Sequence, residues 1–258
     1  MQNLELQNIT VVVTGGAKGV GKGITEQFLS QQANVVICGR SEPEWLPEVN
    51  DNKAVFRACD VRDPESVNQL MQFTVERFGA LDVLVNNAGG APFADAATAS
   101  PRFSEKIIQL NLLAPLYCAQ AANKIMQQQE NGGSIINIAS VSALRPSPGT
   151  AAYGAAKAGL INLTQSLAVE WAPKVRINAI AAGLIKTEQA HLHYGDQAGI
   201  DAVSKTVPLG RMADPKDIGN TCLYFASTLS SYVTGTSITI HGGGEKPAFL
   251  DAANQSEI

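Results

Sequence analysis

Apolar residues along this chain of 258 residues occur in short runs that alternate with longer stretches of mixed polarity. Several runs are apolar at every position, which is typical of parallel strands covered on both faces of a sheet. The amphipathic stretches between the runs predict helices over 20–31, 64–78, 103–129, 151–171 and 215–226. The predicted buried strands are Ile9–Thr14, Asn34–Gly39, Ala54–Cys59, Val83–Asn86, Ser134–Ala139, Arg176–Ala181 and Ser237–Ile240.

This alternation of strands and helices predicts an α/β fold, a doubly wound parallel sheet of about seven strands with helices on both faces. Pro64 and Pro215 each follow an aspartate, a pairing typical of an N-cap and the first helical position. No repeat, linker or change of composition divides the chain, so we expect one domain over residues 1–258. The interval 184–208 contains no obvious strand, and we expect it to be an insert that lies over a binding site.

A glycine-rich segment, TGGAKGVGKG from Thr14 to Gly23, lies between the first predicted strand and the first predicted helix. A P-loop requires Ser or Thr after its lysine to bind Mg²⁺, and here Gly23 follows Lys22. The pattern G-x-G-x-x-G also fails, at its third glycine. What fits is T-G-x-x-x-G-x-G, and a glycine turn at a helix N-terminus predicts dinucleotide phosphates there. A plain turn without a ligand is the alternative.

The end of the second predicted strand indicates which dinucleotide is bound. NAD sites usually place a carboxylate near this point to bind the ribose 2′-hydroxyl, but this strand ends in Gly39 and Arg40. The planar guanidinium of Arg40 suits a 2′-phosphate, and Lys18 can reach the same group. We therefore predict NADP, with NAD left open. The competing interpretations are that Glu42 turns inward or that both cations are solvated surface groups.

Four polar residues predict the chemistry. Tyr153 and Lys157 lie four positions apart in the predicted helix 151–171 and share one face. An ammonium beside a phenol lowers the phenol pKa, which suits an acid or base near neutral pH. The hydroxyl of Ser140, at a strand end, can hydrogen-bond a substrate oxygen. Asn111 lies inside a helical stretch, and each residue alone has an ordinary structural explanation, so the prediction rests on their joint presence.

The motifs of this chain resemble, in order and spacing, those of the short-chain dehydrogenase/reductase family, in its main single-domain branch. The resemblance runs from about residue 9 to residue 243 and implies a Rossmann-like fold and hydride transfer between a nicotinamide and a carbonyl or secondary alcohol. It implies that Tyr153 exchanges the proton, Ser140 holds the substrate oxygen, Lys157 lowers the tyrosine pKa and Asn111 holds a water in a proton relay. The matching motifs are the pattern from Thr14 to Gly21, CDV at 59–61, NNAG at 86–89, Asn111, Ser140 and Tyr153-x-x-x-Lys157.

The resemblance also implies a set of cofactor contacts. Asp60 and Val61 would flank the adenine, and 87–89 would line the ribose and pyrophosphate. Ala182 stands where the family usually has proline, which predicts a looser backbone beside the nicotinamide carboxamide. The implied contact residues are Gly15, Lys18, Gly19, Val20, Gly21, Arg40, Asp60, Val61, Asn87, Ala88, Gly89, Tyr153, Lys157, Gly183, Ile185 and Thr187.

The substrate is expected to be a small carbonyl or alcohol of moderate size. The walls of the substrate pocket should be Gly90–Phe93, Ser142–Arg145 and the insert. Its apolar lining should come from Leu144, Leu184, Leu192 and Tyr194. One alternative is a 3-oxoacyl-carrier-protein reductase, which the cation-free segment QQQENGGS before the serine strand disfavours. The other is a non-catalytic NADP-binding sensor, which would not need the serine, tyrosine and lysine together.

The composition of the chain disfavours some classes of binding partner. The net charge of −4 and the pI of about 5.4 provide no basic field for nucleic acid, and no polybasic run suggests a membrane surface. We see no signal peptide or apolar span, and four separated cysteines predict free core thiols and a cytoplasmic protein. His191 and His193 lack a third ligand, so we expect no metal. The helices 103–129 and 151–171 carry Leu, Ile and Ala on several faces, which predicts oligomerisation, and the family resemblance implies a homodimer or homotetramer.

Overall fold

Seven parallel strands form one sheet in the computed structural model, which describes residues 4–249 except the side chains of Leu192 and His193. The strands in chain order are β1 (Thr10–Thr14), β2 (Asn34–Gly39), β3 (Glu48–Val49), β4 (Asn52–Lys53), β5 (Val55–Ala58), β6 (Val83–Asn86), β7 (Gly133–Ser140), β8 (Val175–Ala182) and β9 (Ser237–Ile240). The spatial order β5-β2-β1-β6-β7-β8-β9 confirms the predicted doubly wound α/β fold. The hairpin β3–β4 stands apart from this sheet and was not predicted, because two-residue strands are too short to show a period.

The helices cover both faces of the sheet, as predicted. They are α1 (Gly19–Ser30), α2 (Pro64–Phe78), α3 (Pro101–Ile108), α4 (Ala114–Met126), α5 (Ala151–Trp171), α6 (His191–Tyr194), α7 (Gln197–Thr206) and α8 (Pro215–Ala226). The predicted single helix 103–129 is wrong in one respect, since a π-helical turn, Gln109–Leu113, divides it into α3 and α4. The aspartates before α2 and α8 cap these helices, as their sequence pattern predicts.

Two apolar clusters lie on opposite faces of the sheet. Val11 and Val13 of β1 pack with residues of α1 and α8, and Val12 packs with residues of α2, α4 and α5. All three valines are fully buried, which is why the strand reads as a continuous apolar run. The cysteines at positions 38, 59, 118 and 222 are free and buried, as predicted.

The strand order reverses at β1. From β1 the chain runs to β2 and β5 on one side, and β6 to β9 continue on the other. In a doubly wound sheet this reversal opens a crevice beyond the carboxyl ends of the strands. The glycine-rich segment after β1, the NNAG segment after β6 and Ser140 at the end of β7 therefore meet at one edge.

The interval 184–208 folds as a small helical unit beside this edge. It contains α6 and α7, and Ala190 and Ile200 pack with Met212 in an apolar cluster separate from the two main ones. Ile185 forms a parallel bridge with Ala213 that ties the start of the interval to the segment before α8. Within residues 4–249, no helix combines the length and apolar character that crossing a bilayer requires.

Candidate active site

A cavity of about 710 Å³ opens at the carboxyl edge of the sheet. Its walls include every residue predicted to bind the cofactor or act in catalysis, except Asp60, Val61 and Asn111. Asp60 and Val61 line an adjoining cavity of about 270 Å³ that shares Gly15, Arg40 and Ala88 with the large one. The sequence motifs therefore converge on one elongated site.

The glycine-rich segment has a backbone that side chains would disrupt. Gly15 and Gly19 have φ values of +65° and +53°, in the left-handed region that favours glycine. A Cβ atom on Gly21 would lie 2.2 Å from the carbonyl oxygen of Gly15, so any side chain would force the turn apart. The turn thus brings the N-terminal amides of α1 to the cavity as a cradle, where these amides and the helix dipole attract anionic groups. These residues fit a dinucleotide pyrophosphate.

Thr14 connects the glycine-rich segment to the NNAG segment. Its Oγ1 accepts hydrogen bonds from the amides of Asn87 and Ala88, at 3.0 and 2.9 Å. In return, Nδ2 of Asn87 donates to the carbonyl of Thr14 at 2.9 Å. The side chain predicted to contact cofactor at position 87 is thus partly used to hold the cradle together. From the sequence we assigned Thr14 no separate role, although its place as the first residue of the motif T-G-x-x-x-G-x-G could have indicated one.

Arg40 lies where the two cavities meet, and Lys18 lines the larger one. Glu42 is exposed and lines neither cavity, so the structure gives no support to an inward-turned Glu42. Asp60 is held by Arg62, whose Nε and Nη2 donate to its two carboxylate oxygens at 2.9 and 2.6 Å. Arg62 lowers the pKa of Asp60, and Arg40 contributes a smaller electrostatic lowering. The carboxylate that was predicted to bind the adenine is therefore already engaged on both oxygens.

Tyr153 and Ser140 meet inside the large cavity. Ser140 is the last residue of β7 and is half-buried, and Tyr153 lies in the first turn of α5. Both side chains line the cavity, and the Ser140 hydroxyl lies close enough to the phenol to influence its pKa. Burial raises the pKa of Tyr153, and the neighbouring Ser140 hydroxyl opposes that rise only in part. At neutral pH the phenol therefore keeps its proton.

Lys157 lies beside Tyr153, but the pKa of the tyrosine is raised and not lowered as the sequence predicted. Its Nζ donates to the carbonyl oxygen of Ile138 at 2.7 Å and lies 5.6 Å from the centroid of the Tyr153 ring. The side chain is 3% exposed, and burial lowers its own pKa to about 8. The ammonium thus faces a strand carbonyl, and desolvation of the phenol determines the direction of the tyrosine shift.

Asn111 lies behind the cavity wall, fully buried in the π-helical turn. Its Oδ1 accepts from the amide of Gly90 at 2.8 Å, and its Nδ2 donates to the carbonyls of Gly90 and Ile107 at 3.0 and 2.9 Å. A Cβ on Gly89 would lie 2.7 Å from this Oδ1 and 3.3 Å from Nζ of Lys157. Asn111 therefore positions the segment that separates it from the lysine, and its part in a proton relay stays a prediction.

The backbone at the end of β8 is more regular than we predicted from the alanine at position 182, where the family usually has proline. Ala182 is a regular strand residue, paired with Ser140 on one side and Ile240 on the other, so the prediction of a looser backbone is wrong. The bridge at Ile185 uses the carbonyl of Leu184 and the amide of Lys186. The amide and carbonyl of Ile185 are left outside the bridge, at the cavity wall.

A further cavity of about 390 Å³ shares Gly183 with the main one. Leu144 and Leu184, which were predicted to line the substrate pocket, line this cavity together with Val141 and Val207. Arg145 forms an ion pair with Glu245 at its rim. Tyr194 lines the main cavity instead, and the predicted wall residues Leu192 and His193 have side chains outside the described part of the structure.

Two sequence features have other roles. Lys22, the lysine of the P-loop alternative, forms an ion pair with Glu26 on the exposed side of α1, at 3.6 Å. His191 contacts the carbonyl oxygen of Glu188 through Nδ1, at 3.1 Å. Across the described residues, no group of three or more His, Cys, Asp or Glu side chains comes together as metal ligands.

Comparison with known proteins identifies the family. A family model described as enoyl-(acyl carrier protein) reductase matches residues 15–245. The chain is 35% identical to the 3alpha-hydroxysteroid dehydrogenase of Mediterraneibacter gnavus, over 92% of this chain and 97% of that protein. It is 34% identical to the L-rhamnose 1-dehydrogenase (NAD(P)(+)) of Azotobacter vinelandii, over 91% and 95% of the two chains. The chain belongs to the short-chain dehydrogenase/reductase family.

The structural comparison agrees with this membership. The ligand-free aldohexose dehydrogenase of Thermoplasma acidophilum superposes with a TM-score of 0.86 at 28% identity, over 98% of both chains. This short-chain dehydrogenase/reductase is therefore a Rossmann-like, nicotinamide-dependent oxidoreductase that acts on CH–OH groups of small molecules.

Proposed function

We propose that this enzyme is an NADP-preferring reductase of ketones, able to oxidise the matching secondary alcohols. The observation that carries the proposal is the pairing of Tyr153 with Ser140 inside the cavity that Arg40 and Lys18 also line. The pairing supplies a proton donor and an oxygen ligand at one point, and the two cations supply charge at the far end of the same site.

The side chains divide the chemistry between them. When bound, the nicotinamide supplies or accepts the hydride. Tyr153 delivers a proton from its hydroxyl to the carbonyl oxygen, and Ser140 donates a hydrogen bond to the same oxygen. The glycine cradle and the Thr14 connection hold the dinucleotide, and Arg40 with Lys18 receives the 2′-phosphate. The Val141, Leu144, Leu184 and Val207 wall excludes water and receives the apolar body of the substrate.

The protonation state of Tyr153 favours reduction. A phenol whose pKa is raised by burial remains protonated through neutral pH, which is the form required to protonate a developing alkoxide. Alcohol oxidation needs the phenolate, so its rate should rise as the pH increases. The proposal therefore assigns ketone reduction as the faster direction at neutral pH.

The NADP preference is tested by replacing Arg40 with serine. The exchange removes a charged donor to the 2′-phosphate, which NAD lacks, so we expect the dissociation constant for NADP to rise about ten- to hundredfold and that for NAD to change little. Isothermal titration calorimetry measures both constants. Arg102→Ser is the matched control, because Arg102 is exposed on α3 and lines neither cofactor cavity. Equal losses for NADP and NAD would show that Arg40 does not recognise the 2′-phosphate.

One description among the comparisons favours a second candidate, a 3-oxoacyl-carrier-protein reductase, because the matching family model is named for an acyl-carrier reaction. Steroid and sugar dehydrogenases among the relatives favour a free alcohol or ketone instead. Turnover of a 3-oxoacyl thioester that clearly exceeds turnover of free ketones would decide for the second candidate. The sensor interpretation is the weakest of the three, because the relatives named above are dehydrogenases.

The chain is also proposed to form an oligomer of identical subunits. We infer a homodimer or homotetramer, supported by Val169 on α5, whose side chain is 82% exposed at the surface of an apolar helix. Light scattering against the monomer mass of 27.2 kDa measures the state directly. The cytoplasmic location stays a prediction.

A further inference from the structure

A carboxylate from the insert lies on the glycine-rich segment. Oε1 of Glu188 accepts a hydrogen bond from the amide of Gly19 at 2.8 Å, across 169 positions of the chain. Gly19 is the first residue of α1, and both residues line the main cavity. The neighbouring Thr187 also covers this glycine, since its Cγ2 lies 3.6 Å from where a Cβ of Gly19 would be. The insert therefore touches the cradle through two consecutive side chains.

The amide of Gly19 is one of the donors that a dinucleotide needs. The first four amides of a helix have no partner within it, and they are the groups that bind phosphate at a glycine turn. Nothing in α1 itself satisfies this end: Lys18 at the N-cap makes no side-chain capping bond, and the first turn contains no acidic residue. Glu188 supplies the missing negative charge from outside the helix.

We propose that Glu188 competes with the cofactor pyrophosphate for the amide of Gly19 and so sets cofactor affinity. This inference rests on the proposed position of the pyrophosphate at the glycine cradle. A carboxylate and a diphosphate cannot share one donor without like-charge repulsion, so binding of the dinucleotide displaces Glu188. Displacement also releases the segment that follows the Ile185–Ala213 bridge from the cradle, which couples cofactor binding to the position of this part of the insert.

The pyrophosphate is common to NADP and NAD, so a contact that competes with it should affect the binding of both dinucleotides. Removing the charge at position 188 should strengthen binding of both dinucleotides by the same factor. An effect directed at the 2′-phosphate would change NADP alone. If Glu188 only caps α1, its replacement would lower thermal stability without strengthening the binding of either cofactor.

The experiment compares wild type with Glu188→Gln and Glu188→Ala by calorimetric titration with NADP and with NAD. We expect both dissociation constants to fall about three- to tenfold in each variant. We expect the melting temperature without cofactor to stay level or to fall slightly, most in Glu188→Ala. Asp201→Asn removes one carboxylate from an exposed position on α7 of the same insert and should leave both constants unchanged.

Unchanged or weaker binding in both Glu188 variants would overturn the inference, as would tighter binding of NADP alone. These outcomes are separate from failure of the proposed function. The NADP preference is judged from the Arg40 variant and catalysis from Tyr153, and neither result depends on position 188.

Discussion

Replacing Tyr153 with phenylalanine should lower the rate of ketone reduction by about 10² to 10⁴-fold, because it removes the proton donor while keeping the ring. The phenyl ring still fills the cavity wall beside Lys157, so NADP affinity should change little. Steady-state oxidation of NADPH gives the rate, and calorimetric titration gives the affinity.

The control for this variant is Tyr232→Phe. Tyr232 is fully exposed in a turn outside the cavities, and loss of its hydroxyl should leave the rate unchanged. A Tyr153→Phe enzyme that turns over as fast as wild type would mean that the substrate oxygen receives its proton elsewhere. The Ser140 hydroxyl, which lines the same cavity and lowers the pKa of Tyr153, would then be the first group to replace.

Replacing Lys157 with methionine should lower the same rate by about 10²-fold, since a buried cation 5.6 Å from the centroid of the Tyr153 ring stabilises the negative charge that the phenol gains as it gives up its proton. Methionine keeps most of the side-chain length in a position that is only 3% exposed. The hydrogen bond to the Ile138 carbonyl is lost with the ammonium. The rate of NADPH oxidation, followed with increasing pH, measures the effect.

The pH profile separates the charge of Lys157 from its shape. Burial lowers the pKa of Lys157 to about 8, so the group is cationic below that pH and neutral above it. The rate of reduction by wild type should therefore decline as the pH rises through about 8. The rate of Lys157→Met should be low at every pH and should show no such decline. A wild-type profile that stays level across this range, or a variant that keeps the decline, would show that another group titrates there.

The strands and most helices could be predicted because their cause is local. Val11, Val12 and Val13 read as a strand since both faces of β1 are covered, and the aspartate–proline pairs mark the starts of α2 and α8. The π-helical turn has a distant cause. Its Asn111 bonds the backbone of Gly90 as well as the carbonyl of Ile107, and helical periodicity contains no trace of such a contact.

The site shows the same division. Parallel strands end at one edge, so motifs spaced along the chain could be expected to converge, and all but three of the predicted residues line the main cavity. Partners from outside the motifs could not be expected: Arg62 holds Asp60, and Glu188 reaches Gly19. The spacing of Tyr153 and Lys157 predicted a shared helix face. It could not show that the phenol is partly withdrawn from water, and this desolvation reversed the expected direction of its pKa.

The most direct measurement follows the hydride itself, with NADPH that carries deuterium at the transferable position of its nicotinamide. A panel of ketones is reduced by wild type and by Tyr153→Phe, and the alcohols are analysed by mass spectrometry. We expect deuterium at the carbinol carbon with wild type, at a rate that falls steeply in the variant. Alcohol without deuterium, or no alcohol from any ketone although NADPH binds, would contradict hydride transfer at this site.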